Sequence, residues 1–329
     1  MRRGRFLTSK FRKEATLNKV KAGPPEQIRA SYYEHDEVAT NPASRRLFES
    51  NPPSLDERQR EVLDELSRDG YAVTSVAKLF SEETWRTVAQ DGADYRRQIE
   101  GQLNGRVSEG QPSRSARFRA RSTLVTKRGF YMGRRYRRTP PTLESPLLQL
   151  GASTRVLDIV NSYLGMWSKL TYADQWYTPP RGSDADRLGS MHWHRDYNDQ
   201  YLVKVFVYLV DVDEGAGPFE YVPGSAKDGP YSDIWPWQPA GDMYPSAEEF
   251  EQRIPASAVR TFTAPAGSMI FCNTSGFHRG GHATTQPRDM FVLNYLSPAG
   301  LEVMVNRNFE LDPSSVADLR EAQRFALTE

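Results

Sequence analysis

Hydrophobic and polar positions change their period twice along the chain. Leu55, Val62, Leu63 and Leu66 fall at helical spacing, and Gly70 supplies a stop just before the strand-like run 71–76. Ser54-Leu55-Asp56-Glu57 has the form of a capping box, which places the helix start at Ser54. A second helix follows Ser81 to about residue 103, and a Gly/Ser/Pro/Gln-rich loop covers 104–113. Ser153 is placed to cap a third helix through Leu164. Beyond it the period shortens. Strand-like runs occupy 170–177, 201–212, 219–222, 259–263, 268–273 and 290–296, punctuated by Gly and Pro. Helices first and many strands later predict an α+β fold whose strand-rich part is an antiparallel double-sheet barrel.

The flanks and one long connection complete this pattern. Residues 1–50 read as a polar, weakly periodic arm, and 314–327 as an amphipathic helix. The connection between Gly224 and Val259 is long for a β protein and carries Tyr231, Trp235, Trp237 and Tyr244. Such loops are commonly lids or binding loops, and a short helix is expected within this one near 246–253. The expected organisation is an arm over 1–50, a main domain over 51–305 and a C-terminal helix over 306–329. The barrel core would cover about 168–298 and the lid 226–258.

Charge changes the picture because its balance is not uniform. Across 329 residues, 43 Lys+Arg face 42 Asp+Glu, a net of +1 that disfavours a general polyanion binder. Residues 1–22 nevertheless carry +7 and residues 111–138 carry +10, which leaves −16 on the remainder. Arg117, Arg119 and Arg121, with Phe118, Phe130, Tyr131 and Tyr136 interleaved, form either a solvated face or a surface for an anionic substrate or partner. The longest apolar run, 205–210, is too short to span a membrane. The charged start, MRRGRF, lacks a secretory signal's apolar stretch, so a cytoplasmic location is expected. The single Cys272 excludes an intrachain disulfide and reads as a small hydrophobe in a strand.

Candidate chemistry gathers on the histidines. Four of five lie in two motifs, Met191-His192-Trp193-His194-Arg195-Asp196 and Phe277-His278-Arg279-Gly280-Gly281-His282. On a strand, His194 and Asp196 point to one face and could share a metal ion. His278 from a distant strand would complete a two-His-one-carboxylate facial triad, the donor set of non-haem Fe(II) oxygenases. Arg288, ten residues on and at the start of a strand, could grip the far carboxylate of a chelating keto acid. His192 shares the period-two face, so a cupin-type site built on His192 and His194 with Zn or Mn is an alternative.

The order His194-x-Asp196, His278, Arg288 resembles the Fe(II)/2-oxoglutarate-dependent dioxygenases. Three stretches make the chain similar to the phytanoyl-CoA dioxygenase family over roughly 55–300. They are Leu66-Ser67-Arg68-Asp69-Gly70-Tyr71-Ala72-Val73, Trp193-His194-Arg195-Asp196, and Gly217-Pro218-Phe219-Glu220-Tyr221-Val222-Pro223-Gly224-Ser225. In the last, Ala226 stands where the family commonly has histidine. The resemblance implies a double-stranded β-helix, a cupin-like jelly roll with supporting N-terminal helices. It implies iron on His194, Asp196 and His278, 2-oxoglutarate on Arg288 with Phe206 lining its pocket, and dioxygen as the other co-substrate. Arg195 stands where the family often has glutamine. The implied reaction is oxidation of a small metabolite or carrier-linked molecule with release of succinate and CO2, hydroxylation first, with desaturation, cyclisation and epoxidation open; the basic segment adds an anionic substrate. The carboxylate ligand argues against halogenation.

Trp235 and Trp237 are candidate substrate contacts, as are Arg117, Arg119 and Arg121. A metal-binding cupin without oxygenase activity is one alternative. A nucleic-acid-directed oxygenase is another, disfavoured because Asn294 stands where such enzymes carry a second arginine. Neither the substrate nor the oligomeric state is legible.

Overall fold

The computed structural model describes residues 41–108, 123–126, 129–137, 140–238, 243–300, 309 and 311–328. Its first half is mainly helical: α1 (Pro42–Ser50), α2 (Glu57–Asp69), β1 (Tyr71–Ser75), α3 (Val76–Leu79), α4 (Glu82–Ser108), β2 (Thr123–Thr126), β3 (Gly129–Arg134), α5 (Pro146–Ala152) and α6 (Thr154–Leu164). The second half is mainly strands: β4 (Lys169–Thr178), β5 (Leu202–Tyr208), β6 (Phe219–Tyr221), α7 (Ala247–Arg253), β7 (Arg260–Phe262), β8 (Ser268–Cys272), β9 (His278–Gly280), β10 (Arg288–Leu296), α8 (Pro313–Ala317) and α9 (Glu321–Leu327).

Two antiparallel sheets result. The larger has the order β1-β8-β5-β10-β4-β3-β2 and the smaller β7-β6-β9. Alternation along the central strands assigns each face of the large sheet. Val203, Val205 and Val207 of β5, with Met269, Phe271, Phe291, Leu293 and Tyr295, pack on a helical layer that includes Leu147, Leu148, Val156, Leu157, Ile159 and Val160. The opposite row holds Phe206, Tyr208, Ile270, Cys272, Met290 and Val292 and packs on Phe219, Tyr221 and Phe262 of the small sheet. Period two thus turns one strand into two surfaces, one for the helices and one for the interior between sheets.

Several element ends differ from the expected ones. The cap of α2 is Asp56, not Ser54: its side chain accepts from Gln59 N–H while the Gln59 side chain accepts from Asp56 N–H. The box shifts by two residues because Gln59 serves as its return partner as well as a glutamate would. Gly70 ends α2 with φ 75°, a left-handed conformation that favours glycine. Helix α4 continues five residues into the expected loop, to Ser108. Residues 42–50, expected in the polar arm, form α1 instead. The helix is fixed from outside, by Ser44 Oγ donating to Trp167 O at 2.5 Å and Arg45 lying over the Tyr201 ring. The C-terminal segment breaks into α8 and α9, and Lys169 Nζ donates to the carbonyls of Phe325 and Thr328 at its end. Part of the basic segment pairs as β2 and β3, whereas Arg117, Arg119 and Arg121 lie outside the described residues. Among the described residues, no helix is long and apolar enough to cross a membrane.

Asp289, beside Arg288 on β10, faces the helical layer. It accepts from Gln175 Nε2 at 3.0 and 3.1 Å, with Arg96 at 3.6 Å and Glu100 and Arg135 further out. Burial pushes its carboxyl up to about 7. Between about pH 4 and pH 7 the native chain therefore holds a proton that the unfolded chain has released. This stabilising contribution is present at low pH and lost as pH rises toward 7. Denaturant midpoints should fall from pH 5 to pH 8, and by less in Asp289→Asn; equal slopes would refute the assignment.

Candidate metal centre

The two histidine motifs meet without the strand expected for the first. His194 and Asp196 lie in an extended loop, and only His194 forms a bridge, to His278 at the head of β9. His194 N–H donates to His278 O at 3.0 Å, and His278 N–H donates to His194 O at 2.9 Å. Asp196 N–H donates to Thr274 O at 2.9 Å. This extended backbone gives His194 and Asp196 a common side, as a strand would, while leaving the loop free of a longer ladder.

Candidate ligand atoms of His194, Asp196 and His278 all lie within 4.8 Å of one another. Each imidazole is oriented from behind. His194 Nδ1 bonds to His192 O at 2.8 Å and His278 Nδ1 to Gly276 O at 3.0 Å. A carbonyl only accepts, so both Nδ1 atoms carry the proton and both Nε2 atoms present a lone pair. Those Nε2 atoms face Asp196 Oδ1 at 4.0 Å and Oδ2 at 3.6 Å. Burial lowers the pKa of both histidines, most for His278, so the rings are neutral donors. Burial pushes the Asp196 carboxyl up, but Lys204, His278 and His194 more than offset this and hold it below the usual range. Two neutral imidazoles and one carboxylate fit a divalent metal that accepts N and O donors. Tyr244 stacks on His194 with ring centres 4.9 Å apart.

The Pro-Gly-Ser stretch locates β9. Val222 N–H donates to Phe277 O at 2.9 Å, Phe277 N–H donates to Ser225 Oγ at 2.7 Å, and Ser225 Oγ donates to Val222 O at 2.6 Å. Gly217 has φ 68°, and a Cβ there would lie 2.5 Å from the His282 carbonyl carbon and the Ala283 nitrogen. Glycine at 217 therefore permits the close approach that brings the 278–283 backbone against β6.

Arg288 sits at the start of β10 and is buried. One Nη donates to Gly281 O at 3.3 Å, while the buried Nε has no hydrogen-bond partner. Glycine at 280 leaves room for the guanidinium, since a Cβ there would come within 3.0 Å of the other Nη. An unsatisfied, desolvated guanidinium edge suits a carboxylate that accepts two bonds. Phe206 faces the same interior and packs against Phe219 at 4.6 Å, which in turn lies 5.9 Å from His278.

Other expected residues separate into roles. His192 is exposed and its Nε2 bonds to Arg187 O at 2.9 Å, so a site built on His192 is not what the fold assembles. His282 lies outside the cluster, with Nε2 bonded to Gly182 O at 2.7 Å. Trp237 Nε1 donates to Asp196 O at 2.7 Å, whereas Trp235 packs with Trp193, Val222, Phe250, Ile254 and Phe277. Arg195 does not face the cluster. It is buried against the Phe277 ring and donates to the carbonyls of Ser225, Ser275, Tyr231 and Ile234.

Sequence reasoning missed Lys204. Its Nζ lies 2.5 Å from Asp196 Oδ2, with both side chains nearly buried. The signal was present: in Leu202–Tyr208 the lysine has the phase of Phe206 and Tyr208, so it points into the interior. Burial works against the ammonium, but Asp196, with Tyr172, more than offsets it and raises the lysine's pKa.

This fold and cluster fall within one class. The model of the phytanoyl-CoA dioxygenase family matches residues 66–290, and the chain belongs to that family. No curated protein matches the chain. Among solved structures it is similar to EctD from S. alaskensis with 2-oxoglutarate and 5-hydroxyectoine, at 15% identity over 80% of this chain and 90% of that one, TM-score 0.48. It is also similar to the epimerase SnoN in complex with Fe3+, alpha ketoglutarate and nogalamycin RO, at 16% identity over 73% and 84%, TM-score 0.44. HygX from Streptomyces hygroscopicus with nickel, 2-oxoglutarate and hygromycin B bound is 16% identical over 74% and 88%, TM-score 0.42.

Proposed function

We propose that the protein is an Fe(II)/2-oxoglutarate-dependent oxygenase that hydroxylates a small molecule, and that its two facing sheets form a double-stranded β-helix. The observation that carries the reading is the pairing of two sites on one interior surface. One is the cluster of His194, Asp196 and His278; the other is the buried, under-bonded Arg288. Iron held by the three side chains would activate dioxygen at the expense of 2-oxoglutarate, yielding succinate, CO2 and an oxidised substrate. The chain's part is to hold, orient and shield. His192 O and Gly276 O fix the imidazoles, and Arg288 Nε and Nη offer two parallel donors to the distal carboxylate. Phe206 and Phe219 keep water from the interior beside His278. An anionic or carrier-linked substrate remains the proposed class, with Trp237 as a contact beside Asp196.

Anaerobic addition of Fe(II) and 2-oxoglutarate should give a visible metal-to-ligand charge-transfer band. Arg288→Gln should weaken 2-oxoglutarate binding by about 30-fold or more, as for loss of one partner of a buried charge pair. Bound metal with no such band would favour a metal-binding cupin without oxygenase activity.

A further inference from the structure

Lys204 is a charged residue in an otherwise largely apolar row. On the interior face of β5 it precedes Phe206 and Tyr208, and in register its neighbours are Cys272 on β8 and Asn294 on β10. Tyr172 of β4 lies beyond Asn294 in the same register. A lysine in such a place is costly unless an anion faces it, because water is largely excluded. The anion is Asp196, whose Oδ2 is 2.5 Å from Nζ.

We propose that Lys204 is the built-in counter-cation of Asp196, and that metal loading at this site is a cation exchange on that carboxylate. The inference rests on reading His194, Asp196 and His278 as metal ligands. With neutral imidazoles, the cluster and Lys204 sum to zero charge, so the carboxylate is compensated before any metal arrives. A divalent ion bound to Asp196 must either displace Nζ from Oδ2 or share the carboxylate with it. Either way two cations are brought close in a poorly solvated interior, and their repulsion opposes binding. Lys204 therefore keeps the empty cluster assembled and holds metal affinity below what the three ligands alone would give. If instead Lys204 only fixed the carboxylate rotamer, its removal would loosen the ligand and weaken binding.

The two accounts predict opposite signs. Mn(II) binding to the metal-free 329-residue chain would be measured by calorimetry, with melting temperature recorded with and without Mn(II). Lys204→Gln keeps a donor to Asp196 and removes the charge; Lys204→Met removes both; Lys204→Arg keeps the charge. Expected results are Mn(II) Kd values lowered at least about tenfold in Lys204→Gln and Lys204→Met, larger Mn(II)-induced rises in Tm, and near-wild-type affinity in Lys204→Arg. Unchanged or weaker binding in Lys204→Gln overturns the proposal. Should Lys204→Gln and Lys204→Met fold only when Mn(II) is supplied, the metal has replaced the ammonium, as proposed. Failure to fold even with Mn(II) overturns the exchange. A wild-type protein that binds no Mn(II) removes the metal-site reading itself, a result distinct from equal affinities across the series.

Discussion

His278→Ala is expected to lose metal binding by more than about 100-fold and to reduce 2-oxoglutarate turnover to background. Groups that merely orient a metal ligand typically contribute 10–100-fold, and loss of a ligand exceeds that. The backbone of residue 278 makes the bridge to His194, and alanine preserves it, so the fold should persist. The matched control is His192→Ala. That side chain is exposed and bonds to Arg187 O, whereas His194 is oriented by the residue 192 carbonyl. Metal titration together with succinate release separates the two variants. Retained metal binding and turnover in His278→Ala would remove the triad, whatever its geometry.

Arg195→Met should be the most destabilising substitution near the site, by about 3 kcal/mol or more, summed over the carbonyls it leaves unbonded. The guanidinium donates to Ser275 O at 2.9 Å, Ile234 O at 3.0 Å, Tyr231 O at 3.2 Å and the Ser225 carbonyl, with its carbon 4.0 Å from the Phe277 ring centre. Burial lowers its pKa to about 10, which still leaves it charged at neutral pH. Removing it leaves the Ser225, Ser275 and Ile234 carbonyls unbonded, while Tyr231 O keeps the Ile234 N–H at 3.3 Å, and each buried acceptor left unbonded costs about 1–3 kcal/mol. The denaturant midpoint reads this directly; a change below about 1 kcal/mol would show that water replaces the arginine.

The sequence was most legible where local pattern and tertiary role agree. The strand-like runs 170–177, 201–212 and 290–296 fall on β4, β5 and β10, and Ser153, Gly70 and Ser246 marked helix ends that the structure keeps. The grouping of His194, Asp196 and His278 was legible because the His-x-Asp spacing and a later histidine are few residue types at fixed spacing. The misses have physical causes. His278 was expected on a strand, but no run was marked at 278–280, because β9 spans only three residues and pairs with β6 across 57–61 positions that no local pattern encodes. Helix α1 is held by Trp167 and Tyr201, more than 100 residues away. Lys204 was hidden inside an apolar run because a buried cation makes sense only once its anion is located. Arg195, which stands where the family often has glutamine, donates to four carbonyls away from the cluster although it lies between two of the cluster's residues in sequence. In an extended backbone successive residues point to opposite sides.

The bridge between His194 and His278 bears on the thermodynamics of metal capture. Its two reciprocal hydrogen bonds join residues 84 positions apart, so the chain entropy needed to bring both imidazoles together is lost when the protein folds. A metal would then meet a preformed chelate whose two nitrogen donors are held together by the fold. Peptides carrying either histidine motif alone would have to lose that freedom on binding, and the difference is the chelate effect that folding confers.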